Sequence, residues 1–313
     1  MRYIVRMPGP QPSPRAEVLH RPFFIAFLVG AALLWVALVL RFELPAGWRW
    51  VEGVVFVLAA GTCLVGLARR LPAQNVVSVG LVIAGLGAMG GLVGAKTGLP
   101  FGTFEFTDAF GPKLLGLLVW PVPFLWIVVL LSCRGVAKNV LRPFRRNRQY
   151  GTWVLGVSAL LAMLLDFSLE PFAVEVKRWW TWKAGVQPVD WYGAPWLNFA
   201  AWLGLTAAFT AFSTPWLLMK RPVPHPPDFH PLVVWLSLQA VFASGCAMRG
   251  LWPPVALSVI VCAVVGVLAW RGERQPAPLP RPGAPPGGPE GGPEPGPGPG
   301  AATEAGPGKP ENK

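Results

Sequence analysis

The sequence predicts an all-α membrane fold: a polytopic bundle of about eight transmembrane helices, followed by a disordered Pro/Gly-rich C-terminal tail. Three observations carry that expectation. Of 313 residues, 53% are hydrophobic and 13% charged, whereas about a quarter of a soluble domain is charged. The apolar residues gather in runs near the roughly 20 residues that a helix needs to cross a bilayer core. Sixteen tryptophans fit the same class, because indole rings favour the headgroup level. The net charge of +12 orients such a chain in its membrane and does not point to nucleic acid.

Residues 1–21 are polar and basic, with Arg2, Arg6, Arg15 and Arg21, and read as a cytoplasmic N-terminus. The transmembrane domain is expected over 22–271. A basic start before an apolar run can be a signal peptide. The run Pro22–Leu40 is long, however, and no small-residue cleavage site follows it, so it reads as an uncleaved first span. Span two covers Val51–Ala68 and ends at Arg69 and Arg70. Span three covers Val76–Ala95 and contains Gly85-Leu86-Gly87-Ala88-Met89-Gly90. That run matches G-x-G-x-x-G, but no strand precedes it and no acidic ribose partner follows in a βαβ unit. Gly87/Gly91 and Gly90/Gly94 are spaced four apart, which reads as close helix packing in lipid.

Gly and Pro mark Gly98–Pro112 as a loop or broken helix, and it carries Glu105 and Asp108 among aromatic residues. Span four is expected over Leu114–Cys133, kinked by Pro121 and Pro123. The connection Arg134–Arg148 is the most basic segment and reads as a cytoplasmic anchor near anionic lipid. Spans five to eight follow at Thr152–Pro171, Trp196–Met219, Leu232–Met248 and Pro253–Trp270. Residues 272–313 are dominated by Pro and Gly and cannot bury a core. Cys63, Cys133, Cys246 and Cys262 lie in or beside apolar spans at no CxxC spacing, so neither a zinc site nor a disulfide framework is indicated.

Lys and Arg set the orientation. With eight spans, the N-terminus, the even-to-odd connections and the proximal tail carry 17 of them, against 8 in the opposite connections. The richer side is expected to be cytoplasmic. Both termini would then lie in the cytoplasm and the chain in the inner (cytoplasmic) membrane. The Glu105/Asp108 loop and the stretch Asp166–Asn198 fall together on the opposite face and are expected to form one site.

That second stretch organises the chain. Asp166 and Glu170 sit at i and i+4 near the end of span five, so they share one helix face. Ionisable groups at a span are costly and call for a function. A carboxyl that keeps its proton in a poorly hydrated setting can act as a general acid. The bland alternative is that Asp166, Glu170, Glu105 and Asp108 pair with Lys96, Lys113, Lys177 or Arg178 at the wet boundary. The connection that follows holds Trp179, Trp180, Trp182, Trp191 and Tyr192. These read as an interfacial belt, but aromatic faces also stabilise a carbocation, by about 0.5–2 kcal/mol each. The three histidines, His20, His225 and His230, are expected in cytoplasmic loops. No Walker, GxSxG or HExxH motif occurs, and the Pro-rich HPPDFH run reads as a loop rather than a metal site. A transporter is disfavoured, because no acid falls near the centre of an expected span.

Four ordered blocks carry a resemblance: GLPFGTFEFTDAFGPKLLG at Gly98–Gly116, Asp166-x-x-x-Glu170-Pro171, Trp180-x-Trp182, and Tyr192-Gly193-x-Pro195-x-x-Asn198-Phe199-x-x-Trp202. Across residues 75–270 the chain resembles the integral-membrane carotenoid biosynthesis family that includes the bisanhydrobacterioruberin hydratases (carotenoid 1,2-hydratases). Phe104 and Phe106 stand where that family leads one to expect tyrosines, Glu170 where Asp is common, and Gly116-Leu117-Leu118 where Gly-x-Pro is expected. The resemblance implies addition of water across the terminal 1,2 double bond of an acyclic carotenoid, without a redox cofactor. It implies Asp166 or Glu170 as the acid and Glu105 or Asp108 as the base for water. Phe104, Phe106, Trp180, Trp182, Tyr192, Asn198 and Trp202 would line the substrate. Expected partners are the lipid bilayer, the carotenoid and other membrane enzymes of the same pathway. A carotenoid end-group cyclase and a non-catalytic carotenoid- or lipid-binding membrane protein are the alternatives.

Overall fold

The computed structural model describes residues 14–42, 44–183, 189–218 and 228–274. Residues 1–13 of the expected N-terminus, 275–313 of the expected tail, and His225 lie outside these residues. Among the described residues are eight α-helices: α1 Pro14–Val39, α2 Val51–Ala68, α3 Ala73–Thr97, α4 Val122–Val140, α5 Tyr150–Pro171, α6 Trp196–Leu217, α7 His230–Met248 and α8 Trp252–Arg274. Seven are long and apolar enough to cross a membrane. The exception is α6, whose 22 residues include three Trp, three Thr, Asn198, Ser213 and Pro215. The polar members Asn198, Thr206, Thr210 and Ser213 are all buried, so α6 turns them inward rather than toward lipid.

Helix α4 is the axis of the bundle. It packs against α2, α3, α5, α6, α7 and α8 and is mostly buried, whereas the peripheral α1 is mostly exposed. Small residues let the neighbours approach. A Cβ on Gly87 of α3 would come within 2.5 Å of the Trp126 ring on α4. Within the G-x-G-x-x-G run, Gly87 is the glycine that seats this indole, whereas nothing lies near Gly85.

Three expectations are corrected. Span four does not begin at Leu114. Residues 113–119 form a hairpin, β2 Lys113–Leu114 with β3 Leu118–Val119, turning through Leu115 and Gly116 at positive φ. Helix α4 starts only at Val122 and runs on to Val140, so Pro121 and Pro123 sit at its N-terminus and kink nothing. Proline lacks the N–H that a first turn leaves unpaired and is pre-set for helical φ, which explains that position. Nor are His20 and His230 in loops: they lie in α1 and at the first residue of α7. Their rings meet edge to face, with centroids 4.2 Å apart.

Short strands connect the helices at the end of the bundle where α3 and α5 finish. Strand β1, Phe104–Phe106, pairs antiparallel with β4, Trp180–Trp182, so that Phe104 faces Trp182 and Phe106 faces Trp180 in register. Between α5 and β4 the helix widens into one π turn, Phe172–Val176, closed by Lys177 N–H to the Phe172 carbonyl at 2.9 Å. Strand β5, Val189–Trp191, then pairs with β6, Ala194–Pro195, which leads into α6.

Candidate active site

Two helix ends and one strand pair build the site. Near the end of α5, Asp166 and Glu170 lie one turn apart, 0% and 2% exposed. The first turn of α6 brings Asn198, 2% exposed, against both. Its Nδ2 donates to Asp166 Oδ2 at 2.8 Å and to Glu170 Oε1 at 3.1 Å. One amide thus bridges the two carboxyls. Glu170 Oε2 accepts two indole hydrogen bonds, from Trp180 Nε1 at 3.1 Å and Trp182 Nε1 at 3.0 Å. Asp166 Oδ1 is buried and has no hydrogen-bond partner among the described residues. Neither carboxyl forms an ion pair among those residues. Burying charge without a counter-ion is costly.

Glu170 and Asn198 are the polar groups in the wall of a cavity. The rest of the wall is apolar: Phe101, Phe104 and Phe106 near β1, Trp180 and Trp182 on β4, and Trp126 and Trp202 on facing helices. Trp126 and Trp202 stack with centroids 4.7 Å apart and planes at 15°. Phe104 and Phe106 meet edge to face at 5.1 Å. An apolar wall with few polar groups suits the end of a hydrophobic ligand.

The expected four-acid cluster does not form. Successive side chains of a strand point to opposite faces. Strand β1 buries Phe104 and Phe106 and turns Glu105 outward, where it is 62% exposed and lies 3.1 Å from Lys183 Nζ. Asp108 is 91% exposed and lies 3.3 Å from Lys113 Nζ. Tyr192 is also outside the cavity. It takes the positive-φ corner between β5 and β6, with its ring edge-on to Trp191 at 5.3 Å. Asp166, Glu170, Asn198, Phe104, Phe106, Trp180, Trp182 and Trp202 are brought together as expected.

Sequence reasoning missed Trp126 and Glu52. Trp126 lies inside a plain apolar run and reads as core. Its signal is Gly87, one of the four-spaced glycines on the helix it packs against. Glu52, 9% exposed in the first turn of α2, pairs with Lys177 Nζ and accepts from Trp179 Nε1 at 3.3 Å. It ties down the chain between the π turn and β4. Lone at a helix start, it reads as favourable to the helix dipole.

The fold and site define an integral-membrane helix bundle with a buried carboxyl pair against an aromatic cavity. Residues 51–265 match the family described as carotenoid biosynthesis protein, and the chain belongs to that family. Over 113 residues it is 34% identical to the bisanhydrobacterioruberin hydratase of Haloarcula japonica, a match covering 36% of this chain and 36% of that protein. The aligned stretch thus spans about a third of the relative's length. No solved structure matches.

Proposed function

We propose that this protein hydrates the terminal 1,2 double bond of an acyclic carotenoid by acid catalysis. The observation that carries the reading is the Glu170 carboxyl in the wall of an aromatic cavity, joined through Asn198 to the buried carboxyl of Asp166. The family and the hydratase relative support that substrate class.

The pair holds one proton. Glu170, the member that meets the cavity, delivers it to the less substituted alkene carbon, and a tertiary cation forms at the other. The rings of Trp180, Trp182, Trp126 and Trp202 line the space where that cation forms. Each ring face adds about 0.5–2 kcal/mol of stabilisation, and about 1.4 kcal/mol is a factor of ten in rate. Water adds to the cation, and the oxonium proton returns to the carboxyl pair. The sum is one water added and one C–O bond formed, with no electrons exchanged, so no redox cofactor enters. Glu105 and Asp108 take no part, because each is outside the cavity and paired with a lysine.

The test is expression of the full chain in a lycopene-producing bacterium, with mass analysis of the pigments. Hydration adds the mass of one water per reacting end. A product of unchanged mass with a new ring means that an internal alkene has captured the cation instead. Unaltered pigment that co-purifies with the protein means binding without catalysis. Either result overturns the proposal.

A further inference from the structure

A second cavity lies at the other end of α4. Trp126 of the aromatic cavity and Lys138 of this one are 12 residues apart on that helix, or about 18 Å at the helical rise. Three cations line it: Arg70 from the end of α2, and Arg134 and Lys138 from α4. Arg134 and Lys138 are four residues apart, so they share one face, and like charges at that spacing repel. The neighbouring cleft adds Arg21 and Arg69 beside His20 and His230.

The one carboxylate in the wall, Asp228, is engaged elsewhere. Its Oδ1 accepts from the backbone N–H of His230 at 3.1 Å and lies 2.7 Å from the His230 ring Nδ1. Its Oδ2 lies 3.8 Å from Arg70 Nη2. Arg134 Nη2 reaches the Leu217 carbonyl at 3.4 Å. Among the described residues no carboxylate stands within ion-pair distance of Arg134 or Lys138. Two half-buried cations therefore face the cavity with no carboxylate at ion-pair distance among the described residues. An arginine fork beside a lysine ammonium is the donor set that recognises phosphate oxygens. Basic pockets between membrane helices near the headgroup level suit such a group.

We propose that this cavity is a phosphate-binding site, held chiefly by Arg134 and Lys138, for an anionic phospholipid headgroup or for free phosphate or diphosphate. The site is independent of the carboxyl pair and of the reaction proposed for it.

The full chain is reconstituted in nanodiscs of phosphatidylcholine alone and with added phosphatidylglycerol. Thermal stability and retained ligands, the latter by native mass spectrometry, are measured in each. A headgroup site gives wild-type protein that retains phosphatidylglycerol and melts higher in its presence. A free-anion site gives the same response to inorganic phosphate or diphosphate in phosphatidylcholine discs. In either case Lys138→Gln and Arg134→Gln weaken binding by about tenfold or more, and Lys138→Arg keeps it. Arg148→Gln, at an exposed position outside the cavity, leaves it unchanged. Failure of the wild type to bind any of the three ligands overturns the proposal, whatever the variants do. So does equal binding by the Lys138→Gln variant, or an equal loss in the Arg148→Gln variant, which marks general surface attraction.

Discussion

At Glu170 three N–H donors converge on one carboxyl, from Trp180, Trp182 and Asn198. They hold it against the cavity wall, and a positioned acid is worth about 10²–10⁴ in rate. Glu170→Gln is expected to lower conversion of an acyclic carotenoid by about that factor, read from the ratio of hydrated to parent pigment. Glu105→Gln and Asp108→Asn should convert at the parental rate, because both side chains are exposed. The acid partners on α5 are legible in the sequence because a spacing of four fixes a shared helix face. The fate of Glu105 is not, because the Gly and Pro around FEF make it read as a loop. Only pairing with β4 imposes the strand alternation that buries Phe104 and Phe106. At the other end of the bundle, burial alone would raise the Asp228 carboxyl. The His230 hydrogen bonds and the Arg70 charge outweigh that and hold it below its ordinary 3.8. A depressed carboxylate stabilises the fold above its unfolded value, and that contribution is lost as pH falls through the folded one. Asp228→Asn should therefore melt lower than wild type at neutral pH, and the gap should close as the pH drops below 3.8.

Among the elements, the π turn and β4 decide where the indoles of the site stand. Trp179 N–H donates to the Ala173 carbonyl at 2.8 Å, and Thr107 N–H donates to the Trp179 carbonyl at 2.9 Å. The widened turn is thus stitched to the end of β1. π turns inside helices often mark functional sites, and here one follows Pro171, directly after Glu170. Glu52 fastens the same junction from α2 through Lys177 and Trp179. Removing one partner of a largely buried ion pair costs about 3–5 kcal/mol. Glu52→Gln should lower the melting temperature and slow pigment conversion together, although Glu52 does not line the cavity. A fall in stability with conversion unchanged would show that β4 keeps its place without this clamp. Neither the π turn nor the Glu52 clamp is legible in the sequence. Each is fixed by contacts between distant segments: Glu52 with Lys177, 125 residues away, and Thr107 with Trp179, 72 residues away.

For the whole molecule, hydropathy reads well because lipid leaves a backbone few choices: a span satisfies its polar groups as a helix or not at all. That constraint fixes the eight apolar runs and places most helix ends near their observed positions. It fails at span four. The apolar hairpin Lys113–Val119 has the composition of a span start but lies outside the helix. At α6 the expected helix forms, although Trp, Thr and Asn198 lower its hydropathy, because it buries its polar face. Orientation rests on charge alone, and two exposed positions test it. Leu115, 83% exposed at the tip of that hairpin, lies at the end of the bundle that holds the carboxyl pair. Arg146, exposed between α4 and α5, lies at the opposite end with the basic cavity. By the excess of Lys and Arg, the Arg146 side is expected in the cytoplasm. In intact cells, a membrane-impermeant thiol reagent should label Leu115→Cys and leave Arg146→Cys unlabelled until the membrane is opened. The native cysteines Cys63, Cys133 and Cys246 are buried, and Cys262 is replaced by Ala to keep the background low. The reverse pattern would invert the bundle and put the aromatic cavity on the cytoplasmic side. The carotenoid end would then reach Glu170 from the inner leaflet, with the carboxyl chemistry unchanged.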